Sequence, residues 1–346
     1  MSSPHASQAP DASTPLSTID WDHIEFYVGN AKQASQFYQC AFGFEQVAYA
    51  GPETGLHDRA SYVLEQHDLR FVLTSSLRSD DAVAEHVKQH GDGVRDVAIR
   101  VRDTRSAWEM ALRGGARSVR EPVESSDAHG RVVLATIATY GDTVHTFVER
   151  DGYSGVFLPG YTALPKTAPR SAKPHLLAID HCVGNVGWGE MDAWGSFYEK
   201  VFGFSQLVSF DDKDISTEFT ALKSKVMSDA RHRVKFPINE PAHGKKKSQI
   251  EEYLDFYRGA GVQHLAIRTD DIVATIDALR ENGVEFLDTP DTYYEDLGSR
   301  VGEIDEDIAV LRKRKILVDR DDLGYMLQIF TKPLRRVVTI ALERAA

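Results

Sequence analysis

Two histidines and a glutamate in the second half of the chain have the types and placement for metal chemistry. His181 lies in the alternating run Ile179–Val186, His264 follows Gln263 in the run Gly261–Asp271 (GVQHLAIRTDD), and Glu343 stands near the chain's end. On a rigid sheet, two imidazoles and one carboxylate make a facial set that suits non-haem Fe(II) and leaves positions open for a bidentate substrate and dioxygen. Zinc more often saturates its site with nitrogen and sulfur. The types alone discriminate weakly, because 13 histidines are present and a lone histidine on an apolar strand is commonly a hydrogen-bonded core residue. Repetition narrows the choice: His181 and His264 occupy matching places in repeated segments, and Asp180 precedes the first as a candidate acceptor for its ring N–H.

The elements that position these residues are legible as a repeat. After the strand run that carries His264, Asp270 and Asp271 can cap a helix over Ile272–Asn282, whose Ile272, Ile276 and Leu279 share one face. Gly283 stops it, and Val284–Leu287 reads as the next strand. Gly93–Val119 shows the same strand, acidic turn, helix and glycine stop. Ile19–Asn30, the helix Ala31–Phe42 and FEQVAYAG open the first half, as Ile179–Val186, the helix Met191–Val201 and FGFSQLVSF open the second. The expected fold is α+β, with four βαβββ units in two tandem pairs forming two open barrels. A helical bundle cannot explain runs such as VAIRV and LAIRT, and a doubly wound sheet needs a helix after nearly every strand. The expected boundaries are a disordered tail at 1–17, a first pair at 18–164, a Pro-rich linker at 165–176 and a second, metal-binding pair at 177–346.

Length and composition fit this plan. A chain of 346 residues, 42% hydrophobic, predicts two domains with a sizeable core. A net charge of −12 argues against nucleic acid as a partner, and Lys245–Lys247 read as a solvated loop before the helix Gln249–Tyr257. No apolar run approaches the roughly 20 residues of a membrane helix, and the N-terminus lacks a signal-peptide pattern, so a cytoplasmic protein is expected. Cys40 and Cys182 read as structural thiols. In the first half His23, Asp96 and Glu149 form a possible second metal set, but a degenerate copy that stiffens the fold or an interface is the expectation, and with it a homo-oligomer.

Several runs carry a specific likeness: FYEKVFGF, KFPINEPAHGKKKSQIEEYLDFYRGAGVQHLAIRTDDI, FLDTPDTYY, LGYMLQIFTKP, GNAKQASQFYQCAFGF and HGDGVRDVAI. Together they closely resemble the bacterial 4-hydroxyphenylpyruvate dioxygenases of the vicinal-oxygen-chelate (glyoxalase-like) superfamily, from Ile19 to Pro333. The likeness extends to the related hydroxymandelate synthases. It implies Fe(II) held by His181, His264 and Glu343, and a pocket lined by Thr220, Asn239, Gln249, Gln263, Gln328, Phe330 and Ala341, with Asn239, Gln263 and Gln328 closest to catalysis. Neutral amides orient a carboxylate or phenol without adding charge beside a metal, and a phenylalanine stacks on a ring. The reaction implied joins a 2-oxo acid and O2, with oxidative decarboxylation and then hydroxylation of the ring (to homogentisate) or of the benzylic carbon.

Three departures bear on substrate and product. Thr220 stands where the family usually has serine, and Ala341 where the dioxygenases place a phenylalanine and the synthases a smaller aliphatic residue. The sequence ends at Ala346, before the family's C-terminal helix with its Gly-Phe-Gly-x-Gly-Asn-Phe-type motif, which leaves two expectations: a more open pocket for another 2-oxo acid, or a shortened form of the family's chain. A non-catalytic ligand-binding relative is the alternative from another class.

Overall fold

The computed structural model describes residue 16 and residues 19–166, 174–210, 221–244, 246–320, 324–332 and 339–345. The expected tail, apart from Leu16, the centre of the expected linker, Thr220 and Lys245 lie outside the described residues. In the first half the strands are Asp20–Tyr27 (β1), Glu45–Ala50 (β2), Arg59–Gln66 (β3), Leu69–Ser76 (β4), Gly93–Arg100 (β5), Ser118–Asp127 (β6), Gly130–Ala138 (β7), Val144–Glu149 (β8) and Thr162–Ala163 (β9). The helices are Ala31–Phe42 (α1), Ala82–His90 (α2) and Thr104–Arg113 (α3). The second half has Ala178–Asn185 (β10), Ser205–Phe210 (β11), Ala221–Ser228 (β12), Lys235–Ala242 (β13), Gly261–Arg268 (β14), Leu317–Arg320 (β15), Tyr325–Phe330 (β16) and Thr339–Ala345 (β17). Its helices are Met191–Phe202 (α4), Gln249–Tyr257 (α5), Ile272–Glu281 (α6), Leu297–Val301 (α7) and Ile308–Arg314 (α8).

Each half builds one curled, mixed sheet, in the order β6-β7-β8-β5-β1-β4-β3-β2-β9 and β11-β12-β13-β10-β14-β17-β16-β15. The first strands of paired units meet antiparallel at each centre, β1 with β5 and β10 with β14, while β4 and β8 run parallel to them in the first half and β13 and β17 in the second. This is the tandem α+β architecture that the repeat predicts. The helices start and stop where local chemistry requires: Asn30 accepts from the Gln33 N–H and Asp271 from the Ala274 N–H, and Gly43 ends α1 at φ 74°.

The fourth unit differs from expectation, and α2, α7 and α8 are helices that the repeat did not predict. Val284–Leu287 is not a strand, and only Phe286 makes a bridge, to Thr331. Pro290 soon after it ends the extended run, and the chain forms α7 and α8 before the sheet resumes at β15.

The two halves share one core. Tyr198 on α4 stacks within 4.7 Å of Phe236 and 5.6 Å of Phe202, and His145 on β8 reaches into the same aromatic layer. The backbone carbonyl of Val97 accepts from His145 Nδ1 (2.9 Å), and His145 Nε2 accepts from the Tyr198 hydroxyl (2.8 Å). Burial lowers the His145 pKa to about 4, against an ordinary 6.5, so the ring is neutral in the fold. Because that folded value lies below the unfolded one, the stabilisation from a neutral ring is complete above about pH 6.5 and is lost as the pH falls toward 4, at a cost on the order of 3 kcal/mol. Denaturant titrations across this range should show that decline. Tyr198→Phe, which orphans His145 Nε2, should cost about 1–3 kcal/mol at pH 7.

Candidate metal centre

The register of β10, β14, β17 and β16 brings the candidate residues onto one face. His181 pairs with Ala266, Ala266 with Ala341, and Ala341 with Phe330, so two alanines separate an imidazole from a phenyl ring across four strands. His264 pairs with Val183, two positions along, which puts the two imidazoles on a diagonal with ring centroids 5.8 Å apart. Glu343 pairs with Arg268 and Gln328.

Two β-bulges aim the imidazoles. Asp180 is the extra residue between the Ile179 and His181 pairings, and Gln263 is the extra residue between the Val262 and His264 pairings. Each bulged side chain accepts from its neighbour's ring: His181 Nδ1 lies 2.9 Å from Asp180 Oδ2, and His264 Nδ1 lies 2.5 Å from Gln263 Oε1. A carboxylate and an amide oxygen can only accept, so Nδ1 carries the proton in both rings and Nε2 holds the lone pair of the neutral form.

Lys235, at the start of β13, donates to Asp180 Oδ2 at 2.5 Å. Burial pushes the Asp180 carboxyl up, but the His181 bond and the Lys235 charge outweigh it and lower its pKa to about 2. Burial, with the charge of His181, lowers the His264 pKa to about 3, so that ring is neutral. Glu343 is buried, its pKa is raised by that burial, and among the described residues its Oε2 has no hydrogen-bond partner. Oε2 lies 3.6 Å from His181 Nδ1, and ligand atoms of Asp180, His181 and Glu343 lie within 4.8 Å of one another. His264 shares the face but is not among the ligand atoms gathered within 4.8 Å, so the structure brings Glu343 to His181 and leaves His264 on the diagonal. A buried carboxylate oxygen without a donor among the described residues, next to an imidazole, has the donor chemistry that fits a divalent metal ion.

The remaining predicted residues are placed unevenly. Phe330 packs edge-on to the His264 ring at 5.4 Å, and Ala341 is buried beneath it in the register row. Gln263 is engaged on His264, Gln328 donates to Asp319, and Asn239 donates to Asn185 at 3.4 Å. Gln249 is exposed at the first turn of α5, just after the Ser248 cap. Lys235 was not found from the sequence, because a lysine opening a strand has no local signal that points across to Asp180.

Comparisons with known proteins place the chain. Residues 13–157 match the family described as "Hydroxyphenylpyruvate dioxygenase, HPPD, N-terminal", and residues 178–329 match the Glyoxalase/Bleomycin resistance protein/Dioxygenase superfamily. The chain is 47% identical to 4-hydroxyphenylpyruvate dioxygenase of Coccidioides posadasii, across 93% of this chain and 86% of the relative. It is 46% identical to the same-named protein of Dictyostelium discoideum, across 93% and 90%.

The chain belongs to the 4-hydroxyphenylpyruvate dioxygenase family. Among solved structures of related proteins, a triple mutant of 4-hydroxymandelate synthase from Streptomyces coelicolor superposes with a TM-score of 0.82 at 33% identity, covering 94% of this chain and 92% of that one.

In this member of the dioxygenase family the first half repeats both bulges and lacks the second imidazole and the carboxylate. Asp22 is bulged before His23, which it holds at 2.7 Å, and Arg150 donates to Asp22 as Lys235 does to Asp180. Asp96 takes the place of His264 and is satisfied by the Thr146 N–H and hydroxyl, and Phe157 packs edge-on to His23 at 5.1 Å. Glu149 stands one residue past the register of Glu343, where Val148 sits, and instead accepts from Thr104 N–H and Arg131. Among the described residues His23, Asp96 and Glu149 form no metal cluster.

If the bulged neighbours orient the imidazoles, Asp180→Ala and Gln263→Ala should each lower the affinity for a divalent metal by about 10–100-fold. Calorimetric titration of the metal-stripped protein reads this directly.

Proposed function

We propose that the protein is an Fe(II)-dependent dioxygenase that converts 4-hydroxyphenylpyruvate and O2 to homogentisate and CO2. The observation that carries this reading is the donor-less buried oxygen of Glu343 beside His181, on the sheet face that also carries His264, in a chain of this family. His181, His264 and Glu343 would hold the ion, which matches the two-histidine, one-carboxylate set used with Fe(II) and O2. Bound there, Fe(II) supplies a Lewis-acid point for the carboxylate and keto oxygens of a 2-oxo acid and the electrons that activate dioxygen.

The rest of the work falls to the chain. Asp180 and Lys235 keep His181 in one tautomer, and Gln263 does the same for His264. Phe330, fixed against His264, offers its face to an aromatic ring. Asn239 and Gln328 supply neutral amides for the phenol and carboxylate ends, as the family resemblance implies. Burial of Glu343 and Ala341 keeps water from the sheet side of the centre.

A synthase-type product has one observation in its favour. Ala341 leaves the row between His181 and Phe330 filled by small side chains, and the superposing synthase variant shares the fold. Anaerobic Fe(II) reconstitution with 4-hydroxyphenylpyruvate should give the visible charge-transfer band of a chelated 2-oxo acid, and admitting O2 should give homogentisate by mass spectrometry. Hydroxymandelate would assign the synthase reaction, and no band would overturn the metal assignment. His181→Ala and Glu343→Ala should both lose the band and the product.

A further inference from the structure

A second cluster of metal-type donors lies apart from this centre, at the seam between the halves. His86 and His90 stand one turn apart on α2, on one face of the helix. The turn that precedes β8 brings Asp142 against them. Ligand atoms of the three residues lie within 4.8 Å of one another. Asp142 Oδ2 is 3.0 Å from His90 Nε2 and 3.8 Å from His86 Nδ1. Both rings are buried, whereas the Asp142 side chain is half exposed and leaves one side open to solvent.

Two observations point to a cation among them. His90 Nδ1 faces the backbone carbonyl of Tyr257, which can only accept, so Nδ1 carries a proton. Its Nε2 then meets the Asp142 carboxylate, a second acceptor, and that pairing needs either another proton or a metal ion between lone pairs. His86 decides between them. It is 96% buried, yet neither ring nitrogen has a hydrogen-bond partner. A proton on His90 satisfies one pair and leaves the His86 lone pair orphaned at a cost, whereas a metal ion serves all three groups.

We propose that His86, His90 and Asp142, all of the first half, form a second divalent transition-metal site at the seam, where His90 is in turn bonded to Tyr257 of the second half. Two imidazoles, one carboxylate and an open position suit a divalent transition metal, for which Zn2+ in an open site is one accepted occupant, and the Tyr257 carbonyl is the outer acceptor that a metal-bound histidine requires on its other nitrogen. Tyr257 closes α5, just before β14 with Gln263 and His264, and its ring stacks on His90 at 4.2 Å. The turn carrying Asp142 is pinned to the same segment. Gly141 has φ +57°, and a Cβ there would lie 2.1 Å from the Ala260 carbonyl oxygen. One positive charge opposes the ion: the Arg95 guanidinium donates to the Asp142 backbone carbonyl and lies 5.9 Å from the Tyr27 ring centroid.

The test uses the full chain, stripped of metal, in a His181→Ala/Glu343→Ala background that silences the first centre, with Zn2+ alone as the probe. This background should bind one equivalent of Zn2+ and gain a few degrees in Tm at saturating metal. Adding His86→Leu or Asp142→Asn should abolish both effects. Without metal, His86→Leu should be no less stable than its parent, because leucine removes a buried, unpaired imidazole. Co2+ in place of zinc should give the visible bands of a four-coordinate ion. The proposal is overturned if the background binds no zinc, if stoichiometry and Tm shift survive both substitutions, or if nitrogen NMR shows His90 doubly protonated at saturating Zn2+. Should His86→Leu fail to fold, the half-exposed Asp142→Asn decides alone.

Discussion

Everything at the candidate centre depends on how β10 and β14 pair. An ideal antiparallel pair alternates its side chains, so Asp180 and His181 would face opposite ways, and so would Gln263 and His264. One bulge on each strand breaks the alternation and lets each side chain turn back onto its neighbouring imidazole. The bulges occur at opposite ends of the shared register, which is why the rings meet on a diagonal. The sheet thus sets both the position and the tautomer of each ring without a loop.

The electrostatics follow from that arrangement. Asp180 and Glu343 bring two carboxylates near one imidazole, and Lys235 neutralises the outer one only. Glu343 is left as a buried carboxyl group with an unmet oxygen, which is costly to ionise in a protein interior unless a cation completes it. The first half shows the other outcome. There Arg150 satisfies Asp22, Thr146 satisfies Asp96, and Val148 replaces the carboxylate, so the same bulged framework closes on itself as packing.

The halves are not two independent barrels set side by side. His145 and Tyr198 exchange a hydrogen bond within one aromatic layer, and His90 binds the Tyr257 carbonyl. Both links run from the first half into helices that precede or follow the strands of the second. The half without the His181, His264 and Glu343 set therefore braces the half that carries it.

The sequence by itself determined the repeat, the α+β plan, most helix limits and the matched places of His181 and His264. These follow from period and capping chemistry, which act within a few residues. Asp180 was also legible, because it adjoins its histidine. What only the tertiary structure decided was register and reach. One residue of register separates Glu149 from the place that Val148 fills, and a slip of one residue turns a side chain to the other face. Val284–Leu287 has strand chemistry but gains only one bridge, since pairing belongs to the partner strand as much as to the segment. Lys235 and Asp180 are 55 residues apart, and His90 and Tyr257 are 167 apart. No local pattern encodes such contacts, because they exist only once the sheets have curled and the halves have closed on one core.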